Sequence, residues 1–173
     1  SLTSILIPDS VTKIWGNAFR GCTGLTSIVI PDSVTEIGEG AFGGCTGLTS
    51  IVIPDSVAEI GSNAFSECRM TNICIPTSVT KMGEYVFIGC AALKTASILG
   101  AVSKLDKGLF RHCTSLETIT LGAGIKKIEA NAFDGCTGLK TINVPAKKAS
   151  YYKSRLPEQL HALIVELPAE KKK

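Results

Sequence analysis

Histidine, methionine and aromatic residues are scarce in this chain of 173 residues, with two His, two Met, one Trp and an aromatic content of 6%. Only His112 and His161 could supply imidazole. His112 adjoins Cys113, but neighbouring side chains point apart and no third group is placed to orient them, as nucleophilic catalysis requires. His161 has no partner in the sequence, so both histidines read as structural or exposed residues. HExxH, GxSxG, the phosphate-binding GxxxxGK[ST] loop and a strand-linked GxGxxG are all missing. No apolar run approaches the roughly 18 residues of a membrane span. A large excess of one charge is lacking too. The formal net charge is +3, and Lys147, Lys148, Lys153, Arg155, Lys171, Lys172 and Lys173 supply positive charge beyond the last full repeat. The body of the chain is therefore not basic, which excludes the usual footprint of a nucleic-acid binder.

What is present is repetition. Phenylalanines recur at Phe19, Phe42, Phe65, Phe87, Phe110 and Phe133, with steps of 23, 23, 22, 23 and 23 residues. Cysteines follow at Cys22, Cys45, Cys68, Cys90, Cys113 and Cys136, and a leucine register runs Leu2, Leu25, Leu48, Met70, Leu93, Leu116 and Leu139. The short step lies in "ECRMTNI", which lacks the residue equivalent to Gly24 or Gly47. Such a period belongs to solenoids, in which one unit buries its apolar face only by stacking on the next.

Each unit divides into "LTSIVIP", which alternates like a strand, "DSVTEIG", a second short extended stretch, and "EGAFGGCTG", a Gly-rich turn or short helical corner. Leu25, Ile28 and Ile30 point inward and Thr26 and Val29 outward, with a local departure from alternation at Ser27. Val34 and Ile37 supply the second side; Ala41, Phe42 and Cys45 fill the corner. Pro8, Pro31, Pro54 and Pro76 end the first strand, where a missing amide is tolerated, and the Asp or Ser beyond them is expected to satisfy turn amides. Gly21, Gly44, Gly89 and Gly135 mark corners with unusual backbone angles.

The stretch "IPDSVTEIGEGAFGGCTGLTSIVIP" resembles the BspA-like leucine-rich repeat family, found in surface or secreted proteins of gut and oral bacteria and in some parasitic protists. The resemblance runs from Ser1 to about Pro145. It implies an α/β solenoid, a right-handed curved leucine-rich repeat with short parallel strands, Gly-rich corners and a C-terminal cap. It also implies adhesion or protein recognition and a cell-surface or extracellular location, with no common enzyme activity and no catalytic motif to carry over. The domain reading is residues 1–145 as about six units of 22–23 residues, 146–168 as a capping segment and 169–173 as a disordered tail. Ala149 to Leu156 is read as a short helix and "HALIVEL" as a final strand. The unit at Leu93 departs from the pattern, with Leu99 and Gly100 in place of Ile and Pro, and its strand-ending turn is expected to relax. The start lies inside a repeat, which reads as a mature or excised piece of a longer protein.

Phe19, Phe42, Phe65, Phe87, Phe110 and Phe133, with Cys22, Cys45, Cys68, Cys90, Cys113 and Cys136, are read as scaffold. Equivalent cysteines would lie about one strand spacing apart, roughly 4.8 Å, yet each follows a Phe by three residues as a small buried hydrophobe would. A linear ladder also cannot converge four thiolates on one zinc. No cofactor or metal is expected. The candidate partner surface is the outward column Leu6, Val29, Val52, Cys74, Ser97 and Thr120, with Asn143 at its end, beside Thr26, Thr49, Thr71, Lys94 and Glu117. Its N-terminal half is apolar and hydroxyl-bearing, its C-terminal half polar and charged. The reading is a non-enzymatic recognition or adhesion module taking a protein ligand, such as a host matrix or cell-surface protein. The alternatives are a spacer presenting another domain and a carbohydrate-binding surface.

Overall fold

The computed structural model describes residues 3–169. Leu2 of the leucine register and residues 170–173 of the expected tail lie outside them. The chain is a parallel β-solenoid of about seven turns, so the first face is crossed once more than the six Phe corners suggest. Strands follow one another as β1 (Lys13–Ile14), β2 (Glu36–Ile37), β3 (Glu59–Ile60), β4 (Asn72–Ile75), β5 (Lys81–Met82), β6 (Thr95–Ile98), β7 (Lys104–Leu105), β8 (Thr118–Leu121), β9 (Lys127–Ile128) and β10 (Thr141–Val144). Helix α1 (Ala149–Lys153), a 3-10 turn (Glu158–Leu163) and β11 (Ile164–Glu166) complete the order. The corners are turns, so the helical alternative for "EGAFGGCTG" gives way; regular helix enters only after the last repeat.

Two parallel faces are built from these strands. The first carries the order β11-β10-β8-β6-β4, and the second carries β1-β2-β3-β5 with β7-β9 as a separate pair. Every described pairing is parallel, because each turn of the solenoid brings the chain back in the same direction. The departure at Ser27 recurs along the stack, and in the later coils it is a shared-acceptor kink. Lys94 N and Thr95 N both donate to Thr71 O, and Glu117 N and Thr118 N both donate to Lys94 O. Two outward residues then precede the inward one, as in the buried–exposed–exposed–buried run Leu93–Ala96.

The corners form the most continuous ladder. Gly40 N, Phe42 N and Gly44 N donate to Ser62 O, Ala64 O and Ser66 O, and equivalent sets join the coils on either side. The first five corners can make these bonds because two residues in each take left-handed backbone angles, and the sixth has one. Gly21, Gly44, Gly89 and Gly135 do so at φ 70–75°, while Glu67 and His112 occupy the same column at 58° and 61°. The six Phe rings stack inside this ladder with centroids 5.2–5.9 Å apart and planes within 11° of parallel. Phe42, Phe65, Phe87 and Phe110 are wholly buried.

Several expectations need correction. The stretches Thr26–Ile30 and Thr49–Ile53 do not ladder as strands; the first keeps an isolated bridge between Leu6 and Val29. Their backbone lines a groove open to solvent, where leaving an inter-strand bond unmade costs little, and the corner and second-face ladders already hold the coils together. Ser33 and Ser56 do not satisfy turn amides. Their hydroxyls donate to Val11 O and Val34 O of the preceding coil, each at 2.7 Å, because the inter-coil carbonyl is nearer than the turn. Phe19, Cys22 and Cys136 are only half-buried, since the first and last corners have a neighbour on one side. The helix expected over 149–156 stops at Lys153, and His161 to Leu163 fall in the 3-10 turn instead of a strand. At the divergent Leu99–Gly100 unit the second face is interrupted between β5 and β7. Gly100 packs there so closely on Pro76 O and Val79 O that a Cβ would lie 2.6 Å from the Val79 oxygen.

Candidate functional site

The outward residues of the first face lie in register, as the repeat period requires. In the C-terminal half Cys74 pairs with Ser97, Ser97 with Thr120 and Thr120 with Asn143, while Val165 of β11 sits beside Asn143. In the N-terminal half Leu6, Val29 and Val52 are 84%, 73% and 79% exposed. The two halves differ in what their side chains do with one another. Asn143 Nδ2 donates to Thr120 Oγ1 at 3.3 Å and Lys140 lies 3.4 Å from Glu117, so polar groups there are partly spent on neighbours. Val29 and Val52 have no such alternative.

Between the two valine-bearing coils lies a groove of about 690 Å³, lined by Ser27–Ile30, Asp32 and Ser50–Ser56. Ile28, Ile30, Ile51 and Ile53 form its buried floor. Thr26, Thr49, Thr71, Lys94 and Glu117 are exposed in the neighbouring column, which continues past the groove along the first face; Thr26 Oγ1 donates to Thr3 O at 3.2 Å. A groove with an apolar floor and hydroxyl-bearing edges suits a protein surface or extended segment more than a small ion.

The other sequence-stated candidates separate from this face. The corner thiols act within the scaffold: Cys45, Cys68, Cys90, Cys113 and Cys136 each donate to the Phe carbonyl of the preceding coil, at 3.0–3.1 Å. Burial pushes the Cys45 and Cys136 thiols up to about 11, and those of Cys68, Cys90 and Cys113 further in the same direction. They stay protonated at neutral pH and are poor nucleophiles and metal ligands. All seven cysteines are free, and Cys74 alone is exposed. Among the described residues no group of three or more His, Cys, Asp or Glu could hold a metal ion. His112 is exposed in its corner, and His161 Nε2 lies 2.9 Å from Leu156 O.

Charge is concentrated on the second face. Lys13 pairs with Glu36 at 2.7 Å and Lys81 with Glu59 at 2.6 Å, both between residues in register on adjacent strands. Trp15, 72% exposed, stands at the edge of an apolar hollow of about 240 Å³ with Ile5, Leu6, Val11 and Phe19. Lys13 Nζ lies 5.9 Å from the Trp15 ring centroid. Sequence reasoning missed a basic cleft at Lys126, Lys127, Ser154 and Arg155; its members are separated by a whole turn of chain, and only their charge signs hinted at it.

The geometry agrees with comparisons to known proteins. The family model for the BspA type leucine rich repeat region matches residues 1–68 and 35–155, in six copies. A leucine-rich repeat protein from Bacteroides ovatus is similar at 35% identity and a TM-score of 0.78, over 83% of this chain and 39% of that one. The leucine rich repeat protein of T. pallidum is similar at 28% identity and 0.61, over 79% and 78%. The pneumococcal vaccine antigen PcpA shares the fold, with 17% identity and a TM-score of 0.75, over 98% and 42%. This chain thus spans well under half of the Bacteroides ovatus protein. Curated proteins give no match. With its six Phe–Cys corners stacked in register, the chain belongs to the BspA-type leucine-rich repeat family.

Proposed function

We propose that the chain is a non-enzymatic recognition module of a bacterial surface or secreted protein, and that its protein ligand lies across the N-terminal half of the first face. The observation that carries this reading is the exposed line of Leu6, Val29 and Val52 beside an apolar-floored groove. Leucine-rich repeat scaffolds generally bind proteins, and BspA-type proteins are generally surface-associated, which favours a host matrix or cell-surface protein as partner. Stacked corners present the face already ordered, so little conformational entropy is lost on association. Segment 146–168 acts as the cap that such a stack needs: Tyr152 is buried and its hydroxyl donates to Gly122 O, and Tyr151 Oη donates to Ile125 O at 3.0 Å.

A folded Val29→Glu/Val52→Glu variant tests the reading, with wild type beside it in pull-downs from matrix and cell-surface extracts. Both positions are exposed, so the variant keeps its melting temperature to within a few degrees. Its affinity for the partner that wild type retains falls by roughly tenfold or more, since two desolvated charges are set in an apolar contact. Equal retention of the same proteins by both would remove this face from recognition and leave the spacer reading.

A further inference from the structure

Charge is unevenly divided along the solenoid. Residues 3–125 carry eight Lys and Arg against ten Asp and Glu, whereas residues 126–166 carry seven against four. Part of this excess gathers at a cleft of about 410 Å³ lined by Lys126, Lys127, Ile128, Ser154 and Arg155. Arg155 is held there from several directions. Its Nε donates to Lys126 O at 2.9 Å, its Nη1 donates to Tyr151 O and Ser154 Oγ at 2.8 Å each, and its guanidinium lies 3.6 Å from the Tyr151 ring centroid. Its Nη2 donates to nothing among the described residues.

The acidic groups nearby are already engaged. Glu129 lies 2.8 Å from Lys127 and 3.1 Å from Lys104, and Asp106 lies 2.5 Å from Lys104. Glu166 accepts from Ala149 N at 2.7 Å. Lys126 forms no ion pair among the described residues and is exposed. A guanidinium locked in place with one free donor edge, next to an uncommitted ammonium, is a preorganised receptor for a tetrahedral oxyanion.

We propose that this cleft binds an anionic polysaccharide, with a sulfate group seated between Arg155 Nη2 and Lys126 and further sulfates along Lys148 and Lys153 of the adjoining segment. Sulfated glycan fits better than nucleic acid because the cleft's lining holds no aromatic ring to stack a base. The Tyr151 ring has Arg155 on it and Lys148 Nζ 5.0 Å from its centroid. The site lies where the last repeat meets the capping segment, away from the Val29–Val52 groove, and stands whether or not that groove takes a protein.

Fluorescent heparin is the probe, titrated at about 0.15 M salt, where weak unspecific attraction is screened. Neutral dextran, single-stranded oligothymidylate and phosphatidylserine-containing vesicles serve as comparison ligands. Lys126→Glu weakens heparin binding about tenfold and Lys126→Arg restores it, while Arg69→Glu, the same charge change on an exposed residue far along the stack, leaves it within about twofold. All three variants melt with wild type. Heparin binding absent in the wild type, lost equally in Arg69→Glu, or matched by the oligonucleotide or the vesicles would overturn the proposal.

Discussion

Phe65→Ala destabilises the chain by about 3–5 kcal/mol. The ring is wholly buried, and its neighbours Phe42 and Phe87 have centroids 5.4 and 5.7 Å away. Removing it breaks two stacking contacts at once and leaves a void that neither coil can close. Their spacing is fixed by Phe65 N donating to Val86 O and by Phe42 N donating to Ala64 O. Cys90 Sγ also donates to Phe65 O, so any backbone shift that fills the void disturbs a second buried group. A loss of that size is a large fraction of the roughly 5–15 kcal/mol that holds a domain together. Thr49→Ala, on the exposed face, is the control and changes stability by no more than about 0.5 kcal/mol. Chemical denaturation of the two variants checks both values.

Tyr152→Ala has an effect of the same order, about 3–5 kcal/mol, although the residue lies outside the repeats. Its ring is fully buried and packs edge-on to Tyr151, with centroids 5.4 Å apart. The hydroxyl donates to Gly122 O in the sixth unit. Tyr152→Phe separates the two contributions, keeping the ring and removing the donor at a cost of about 1 kcal/mol. Thermal melts of both variants give the division. Loss at Tyr152 exposes the end of the core, so the Ala variant also melts less cooperatively.

Alkaline pH acts through the same buried groups. Burial raises the Tyr152 phenol to about 12 and the Cys45 and Cys136 thiols to about 11. Each group therefore ionises more easily when unfolded, at about 10 for Tyr and 8.5 for Cys. Their stabilisation is complete below the unfolded values and is lost as pH rises through the folded ones.

The corners were the most legible part of the molecule because their chemistry is local. A Phe, a residue at left-handed φ of 58–75° two positions after it and a Cys three positions after it recur at every corner, so the period alone placed them. The reading from Gly21, Gly44, Gly89 and Gly135 did not single out Glu67 and His112, which stand in the same column and accept left-handed angles of 58° and 61°. What escaped was inter-coil. Whether Ser33 bonds its own turn or Val11 O depends on the neighbouring coil's height, which no single unit encodes. The open backbone at Ile28–Ile30 and Ile51–Ile53 is equally invisible, since "TSIVI" reads as a strand by propensity whether or not a partner donates to it. The cleft at Lys126 and Arg155 needs the chain to turn back on its last coil before its charges meet.

The Phe corners hold the coils together while the N-terminal half of the first face stands open. Amide hydrogen exchange on the free protein tests it residue by residue. The Phe42, Phe65, Phe87 and Phe110 amides are expected to exchange only through near-global unfolding, and those of Ile51 to Ile53 orders of magnitude faster. Protection of Ile51 to Ile53 equal to that of the Phe amides would contradict it, for the face would then be a closed sheet and the groove beside Val52 no opening at all.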